Sequence, residues 1–187
     1  MSRLETERLI LRPVRRSDAA AMIPLINNIE ISKWLSRVAC PYGAAEAEEF
    51  FAAVVDSDRP DHARPQAIEL KTDPGRMIGV IAVEPHNIEG GVLSDAAEFG
   101  YWIGQPFWGC GLVSEAAFAI LPVSFDLGGY DKLTAGYFDG NGASKRILEK
   151  CGFVDVGSKT IFSKARGEDV PGRDLELSRE RWEGLTL

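Results

Sequence analysis

Trp108-Gly109-Cys110-Gly111-Leu112-Val113-Ser114-Glu115-Ala116 is the stretch whose residue types and spacing come nearest to chemistry. Two glycines one residue apart follow an apolar, strand-like run. They precede Leu112, Ala116, Ala119 and Ile120, which recur at helical spacing. Glycine lets the backbone turn sharply and lets a ligand approach with no Cβ in the way. The first N–H groups of a helix have no internal partner and sit at the positive end of its dipole. The combination makes a cradle for a phosphate or pyrophosphate that needs no basic side chain. The same two glycines serve equally well as a tight strand-to-helix turn. Neither of two common nucleotide motifs is present: Ser114 stands where a dinucleotide fingerprint has its third glycine, and no GxxxxGK[ST] occurs.

A second stretch is Asn141-Gly142-Ala143-Ser144, running on to Cys151 and Gly152. Ala143, Ile147, Leu148 and Cys151 form an apolar stripe, with Lys145, Arg146, Glu149 and Lys150 facing elsewhere. Asn141 is a good N-cap. The other reading of Asn141 and Ser144 is an amide and a hydroxyl aimed into a cleft.

The elements that must position these residues follow from pattern. Arg8–Val14 reads as a strand stopping near Pro13. A helix over Ala19–Asn27 follows, capped by Ser17 or Asp18, with Met22, Ile23 and Ile26 inward. Ala44–Val55 is a second helix, with Glu46, Glu48 and Glu49 near its positive end. Strands are predicted at Gln66–Lys71 and Arg76–Val83, joined by Thr72-Asp73-Pro74-Gly75, and at Ala97–Gly104. A helix opens after Gly111, and Pro122 should kink or end it. A strand over Lys132–Phe138 and a helix over Asn141–Cys151 come next. Strands at Phe153–Ser163 and Asp174–Arg181 close the chain. Loops are read at Asp56–Pro65, Pro85–Asp95 and Lys164–Arg173.

The order of these parts is more specific than any one of them. AEFGYWIG, then WGCGLVSEA, then KLTAGYF, then NGASKRILEKCGF resembles the GNAT superfamily of N-acetyltransferases, as does the opening LETERLILRPVRRSDA. Within it the chain is similar to the branch of ribosomal-protein N-terminal acetyltransferases. The resemblance implies an α+β (mixed α/β) fold, one domain over 1–187. Its mostly antiparallel mixed sheet would have about six or seven strands flanked by helices. The sheet would splay between the strands at 97–104 and 132–138.

The resemblance also implies roles. Backbone amides of Gly109, Cys110, Gly111, Leu112, Val113 and Ser114 would hold the pyrophosphate of acetyl-CoA, although Pro106 stands where the family often has Gln or Arg. Tyr101, Trp102 and Ile103 would pair with the pantetheine arm, the N–H near Ile103 serving as oxyanion donor. Trp102 and Trp108 would be walls of the pocket or buried structural aromatics. Asn141 would bond the pantetheine arm. The family's tyrosine that protonates the departing thiolate matches Leu148, so Ser144, one turn earlier, is the candidate donor. The acceptor ammonium must lose a proton, and Glu98 is the candidate base. Glu98, Gly100 and Trp102 share one strand face, and Phe99, Tyr101 and Ile103 the other. A structural partner for a buried polar group is the other reading of Glu98. Glu69 and then His86 are next as bases. Cys110 contributes backbone and is no nucleophile.

Composition narrows the class. Charged residues sum to −7 and the chain is 45% hydrophobic, which suits a globular enzyme and not a nucleic-acid binder. The three cysteines have no CxxC spacing and the two histidines are too few for a metal centre. No apolar run approaches a membrane span or a signal peptide. The expectation is a cytoplasmic monomer or homodimer that transfers acetyl directly, within a ternary complex, to a primary amine. That amine belongs to a protein N-terminus or a small molecule, with no metal, nucleic acid or membrane partner. The alternative is a non-catalytic acyl-CoA-binding regulatory module. Pro85–Asp95 and Trp34–Tyr42 are expected around the acceptor.

Overall fold

Alternating apolar residues in successive segments assemble into one eight-stranded sheet in the computed structural model, which describes residues 3–56, 60–87 and 93–185. The strands are β1 (Leu4–Glu5), β2 (Leu9–Pro13), β3 (Gln66–Leu70), β4 (Met77–Asn87), β5 (Leu93–Ile103), β6 (Lys132–Phe138), β7 (Val154–Ser163) and β8 (Glu168–Ser178). Their order is β1-β2-β3-β4-β5-β6-β8-β7. Among the described residues only the β5–β6 pair is parallel. The helices are α1 (Ala19–Ile26), α2 (Ile29–Ser32), α3 (Ala44–Val54), α4 (Leu112–Gly128), α5 (Gly142–Lys150) and α6 (Arg179–Glu183).

Both faces of the sheet are covered, so the central strands bury residues of both parities. Leu9, Leu11, Ile68, Phe99, Leu133 and Leu175 pack with α4 and α5 on one face. Val14, Ala67, Met77 and Val80 pack with Met22, Ile26, Ala47 and Phe51 of α1 and α3 on the other. Each fully buried Leu, Ile or Phe contributes about 1.5–3 kcal/mol. Between Ile68 and Glu69 the register with β4 slips by one residue. That bulge lets Ile78 face one layer while Met77 and Val80 face the other.

The structure differs from the sequence reading in several places. The sheet has eight strands, because Leu4–Glu5 adds a short edge. β4 runs on through Pro85 to Asn87, and β5 begins at Leu93, so most of the expected loop at Pro85–Asp95 is hairpin. Residues 88–92 lie outside the described residues. Pro85 is tolerated because the ladder shifts register between Pro85 and Asn87. Residues 57–59 also lie outside the described residues, and Asp61–Ala63 form a short helical turn within the loop expected at Asp56–Pro65. β8 starts at Glu168, which shrinks the last loop to Lys164–Gly167, and the expected strand's last residues, Arg179–Arg181, open the helix Arg179–Glu183.

Asp18 stands at the N-cap position of α1, as expected, but its side chain makes no capping bond to the helix. Its carboxylate accepts the Arg15 N–H at 2.8 Å and the Arg12 guanidinium at 2.6 Å, closing the turn before the helix. Pro122 does not end α4, which continues to Gly128. Ala143 is exposed and leaves the expected stripe, while Leu148 and Cys151 are buried. Burial pushes the Cys151 thiol up to about 11.

Candidate functional site

β5 and β6 pair over Ala96–Glu98 and Lys132–Thr134 only, and then diverge. Gly104 donates its N–H to the Ile78 carbonyl at 2.8 Å, so alternation turns the N–H and C=O of Tyr101 and Ile103 away from β4, into the gap. The Ile103 carbonyl is taken by the Trp108 indole N–H at 2.9 Å. The splay expected from the sequence is therefore present, with backbone donors facing it.

Where β5 ends, the chain turns through Gly109 and Gly111 into α4. Both glycines are left-handed, at φ 75° and 73°, which accounts for their type at these positions. A Cβ on Gly109 would meet nothing within 4 Å, and one on Gly111 would come no nearer than 3.8 Å to Arg8 Nη2. The concavity is thus open to a ligand. Glu115 is the first residue of α4 whose N–H finds a backbone partner, the Gly111 carbonyl at 3.1 Å. The N–H groups of Leu112, Val113 and Ser114 belong to the unpartnered first turn.

The cradle is braced from below. Glu115 accepts hydrogen bonds from Thr6 Oγ1 at 2.5 Å, Arg8 N at 2.8 Å and Arg8 Nε at 2.7 Å, and Arg8 Nη1 donates to the Cys110 carbonyl at 3.0 Å. Burial pushes the Glu115 carboxyl upward, but the hydrogen bonds from Thr6 and Arg8 outweigh it and hold the group below its usual range. Sequence reading missed this brace, because it joins residues more than a hundred positions apart. The Cys110 thiol is exposed and does not line the cleft.

A cleft of about 920 Å³ runs from this cradle across the splay. Trp102, Ile103, Trp108, Gly109, Gly111, Leu112, Val113, Ser114, Asn141 and Ser144 all line it, as does Glu98. Asn141 caps α5, its Oδ1 accepting the Ser144 N–H at 3.1 Å. The Ser144 hydroxyl lies 3.0 Å from the hydroxyl of Tyr101, a contact that no sequence spacing announces. Phe99 and Ile103 belong to the layer under α4, while Trp102 packs toward α1 and α3, as the two-face assignment of β5 requires.

At the far end, Glu98 Oε2 accepts a hydrogen bond from Arg37 Nη2 at 2.8 Å, and Arg37 Nη1 reaches Glu84 at 3.0 Å. Arg37 lies in the segment Trp34–Ala39, which lines the cleft together with Tyr42 and Phe50. The β7–β8 turn straps this segment down. Lys164 N donates to the Ser36 carbonyl at 3.1 Å and Arg166 Nε to the Lys33 carbonyl at 2.9 Å. The Arg166 guanidinium lies 4.9 Å from the Trp34 ring centre.

The structure takes the other base candidates out of this cleft. Glu69 is buried, pairs with Arg12 Nε at 2.5 Å and accepts the Gly75 N–H at 2.9 Å, so it serves the fold. His86 does not line the cleft; its Nε2 is 2.9 Å from Thr134 Oγ1, beside a second cavity of about 290 Å³ that Glu98 also lines. Among the described residues no His, Cys, Asp and Glu cluster is arranged to hold a metal ion, and no helix is long and apolar enough to cross a membrane.

A sheet splayed at its one parallel pair, with a helix N-terminus opening beside the gap, defines a class. The chain belongs to the GNAT acetyltransferases: the model of the acetyltransferase (GNAT) domain matches residues 8–154. It is an acetyl-CoA-dependent acyltransferase. It is similar to the protein named "Putative ribosomal N-acetyltransferase YdaF" of Bacillus subtilis (strain 168), 28% identical over 95% of each chain. Its fold resembles that of Mycobacterium smegmatis RimJ in complex with CoA-disulfide (TM-score 0.76, 21% identity, 92% of this chain and 82% of that one). It also resembles ribosomal-protein-S5-alanine acetyltransferase from Vibrio fischeri (TM-score 0.72, 17% identity, 97% of this chain and 99% of that one).

Proposed function

We propose that this chain, acting as one domain in the cytoplasm, transfers the acetyl group of acetyl-CoA directly to a primary amine within a ternary complex. The observation that carries this reading is the single cleft shared by the α4 cradle, the splayed β5 edge and Glu98. The backbone N–H groups of Gly109–Ser114 hold the pyrophosphate. Ile103 offers its N–H to the acetyl carbonyl as charge develops on the oxygen. Asn141, whose Oδ1 is committed to the helix cap, presents its amide NH2 to the pantetheine arm.

Glu98 takes the proton from the acceptor ammonium, directly or through a water, and Arg37 fixes the carboxylate's orientation. Ser144 donates a hydrogen bond to the departing sulfur. The acceptor is a protein N-terminus or a small-molecule amine. The ribosomal names of YdaF and of the Vibrio fischeri enzyme support the first.

The test is turnover of acetyl-CoA with a panel of N-terminal peptides and small amines, read as CoA release. Glu98→Gln is expected to lower kcat by about 10²–10⁴-fold while leaving the Kd for acetyl-CoA unchanged. A Glu98→Gln enzyme with wild-type kcat removes Glu98 as the base. Tight acetyl-CoA binding with no amine acetylated refutes the amine-transfer reading.

A further inference from the structure

The missing helix tyrosine leaves Ser144 as a short, freely rotating hydroxyl where the reaction needs a directed donor. A serine hydroxyl has three staggered positions, and in the first turn of a helix it commonly bonds to nearby backbone. Here something else holds it. Tyr101, on the face of β5 that packs under α4 and α5, places its hydroxyl 3.0 Å from Ser144 Oγ and 3.3 Å from the Ser144 carbonyl. The phenol ring is fixed in turn, its centre 5.4 Å from Phe99, which stacks at 5.6 Å on Phe153. The serine backbone is fixed from the other side by the Asn141 cap.

We propose that Tyr101 is a positioning residue for Ser144: its phenol donates to the serine oxygen, so that the serine's own proton is offered to the sulfur of bound CoA. This rests on the acetyltransferase reading given above. A serine hydroxyl has one donor and two acceptor sites, and a bond accepted from Tyr101 leaves the donor free. Either hydroxyl can donate in the 3.0 Å contact; once the serine proton is turned to the sulfur, the phenol's single proton, otherwise directed at the Ser144 carbonyl at 3.3 Å, is the one left for the serine oxygen. Burial raises the phenol above its ordinary value, and the Ser144 hydrogen bond does not offset this. Tyr101 therefore keeps its proton and acts as a neutral donor throughout.

No proton leaves the pair. It stabilises charge on the sulfur by hydrogen bonding alone. Leu148, at the position of the family's tyrosine, is 1% exposed and packed in the core, so the donor on α5 is Ser144, and Tyr101 on β5 holds its hydroxyl in place.

The test reads the bound thiol and not turnover. CoA is added to the full-length protein at one fixed, mildly alkaline pH, and the thiolate is followed by ultraviolet difference absorbance. Desulfo-CoA, which lacks the thiol, is titrated alongside by calorimetry. The wild type is expected to raise the thiolate fraction of bound CoA about tenfold over free CoA, the effect of one hydrogen bond to a charged group. Ser144→Ala abolishes that enrichment, and Tyr101→Phe reduces it several-fold. Tyr101→Phe added to Ser144→Ala changes nothing further.

Desulfo-CoA binds all four proteins alike. The inference is overturned if Tyr101→Phe keeps the full enrichment, or if Ser144→Ala does. It is also overturned if Tyr101→Phe weakens desulfo-CoA to the same extent as CoA, the mark of a scaffolding role. Wild-type protein that binds no CoA refutes the acetyltransferase reading itself. CoA binding whose thiolate ignores Tyr101 refutes only the present inference.

Discussion

Replacing Gly109 by alanine separates the two readings of the glycines before α4, a backbone turn and the proposed ligand seat. Gly109 has φ 75°, where an L-residue costs about 1–2 kcal/mol. For a chain of this size that lowers Tm by about 2–8 °C. The added methyl meets no protein atom within 4 Å, so strain is the only folding cost, and the methyl projects into the open space where the proposed function seats the phosphates. Any local relaxation also turns the N–H groups away from the phosphates. Loss of a single charge-assisted hydrogen bond weakens acetyl-CoA by about 10- to 150-fold. Gly129 is a matched control: φ 67°, nothing within 4 Å of its Cβ, at the opposite end of α4. Gly129→Ala should lower Tm by the same amount and leave affinity untouched. The assays are thermal unfolding without ligand and calorimetric titration with acetyl-CoA. Gly109→Ala that melts early but binds like the wild type would refute the cradle and reduce Gly109 to a turn residue.

Glu115→Gln tests the brace beneath the cradle through pH. The folded carboxyl lies below its usual value, so its contribution is fully present above the unfolded pKa of about 4.3. That contribution is lost as pH falls through the folded value. The stability gap between wild type and Glu115→Gln, measured by urea unfolding, should be constant near neutrality and close in acid. A gap that widens in acid contradicts the assignment. Glu69→Gln tests the buried Arg12–Asp18–Glu69 cluster. It should cost about 1–3 kcal/mol of stability and leave kcat of the folded protein intact. Lost turnover at unchanged stability would return Glu69 to the active site.

How much of this was readable depends on the range of the interaction. The turn into α4 was legible because Gly109 and Gly111 encode a local backbone requirement. β6 and α5 were legible because alternation holds over Leu133, Ala135 and Tyr137, and helical spacing joins Ser144, Leu148 and Cys151. The strand ends at Pro85 and Glu168 were not. Proline and charge argue against strand locally, whereas the partners that pair these residues lie elsewhere in the chain. The same limit hid the Tyr101 hydroxyl from Ser144, and Arg37 from Glu98. The alternation along β5 predicted which face Tyr101 takes but not which α5 residue meets it. The side-chain partner of Asp18 was hidden because Arg12 is a lone charge on a strand pattern, and in the fold it is 6% exposed.

The cradle and the gap share one topological cause. In a sheet that is otherwise antiparallel, β5 and β6 run parallel, and a parallel pair requires a crossover. α4 is that crossover, so its N-terminus must sit just past the C-terminal end of β5. Its buried face, from Leu112 through Leu121, packs on the same sheet. The strands part at that same end, after Glu98 and Thr134. Unpartnered helix N–H groups and unpaired strand N–H groups therefore open onto one side of the molecule, where ligands of parallel strands gather. Because α5 follows β6, Ser144 is delivered to the rim of the same gap, opposite Tyr101. The site is thus a consequence of inserting one parallel connection into an antiparallel sheet, and the residues that tune it lie on the elements which that connection brings together.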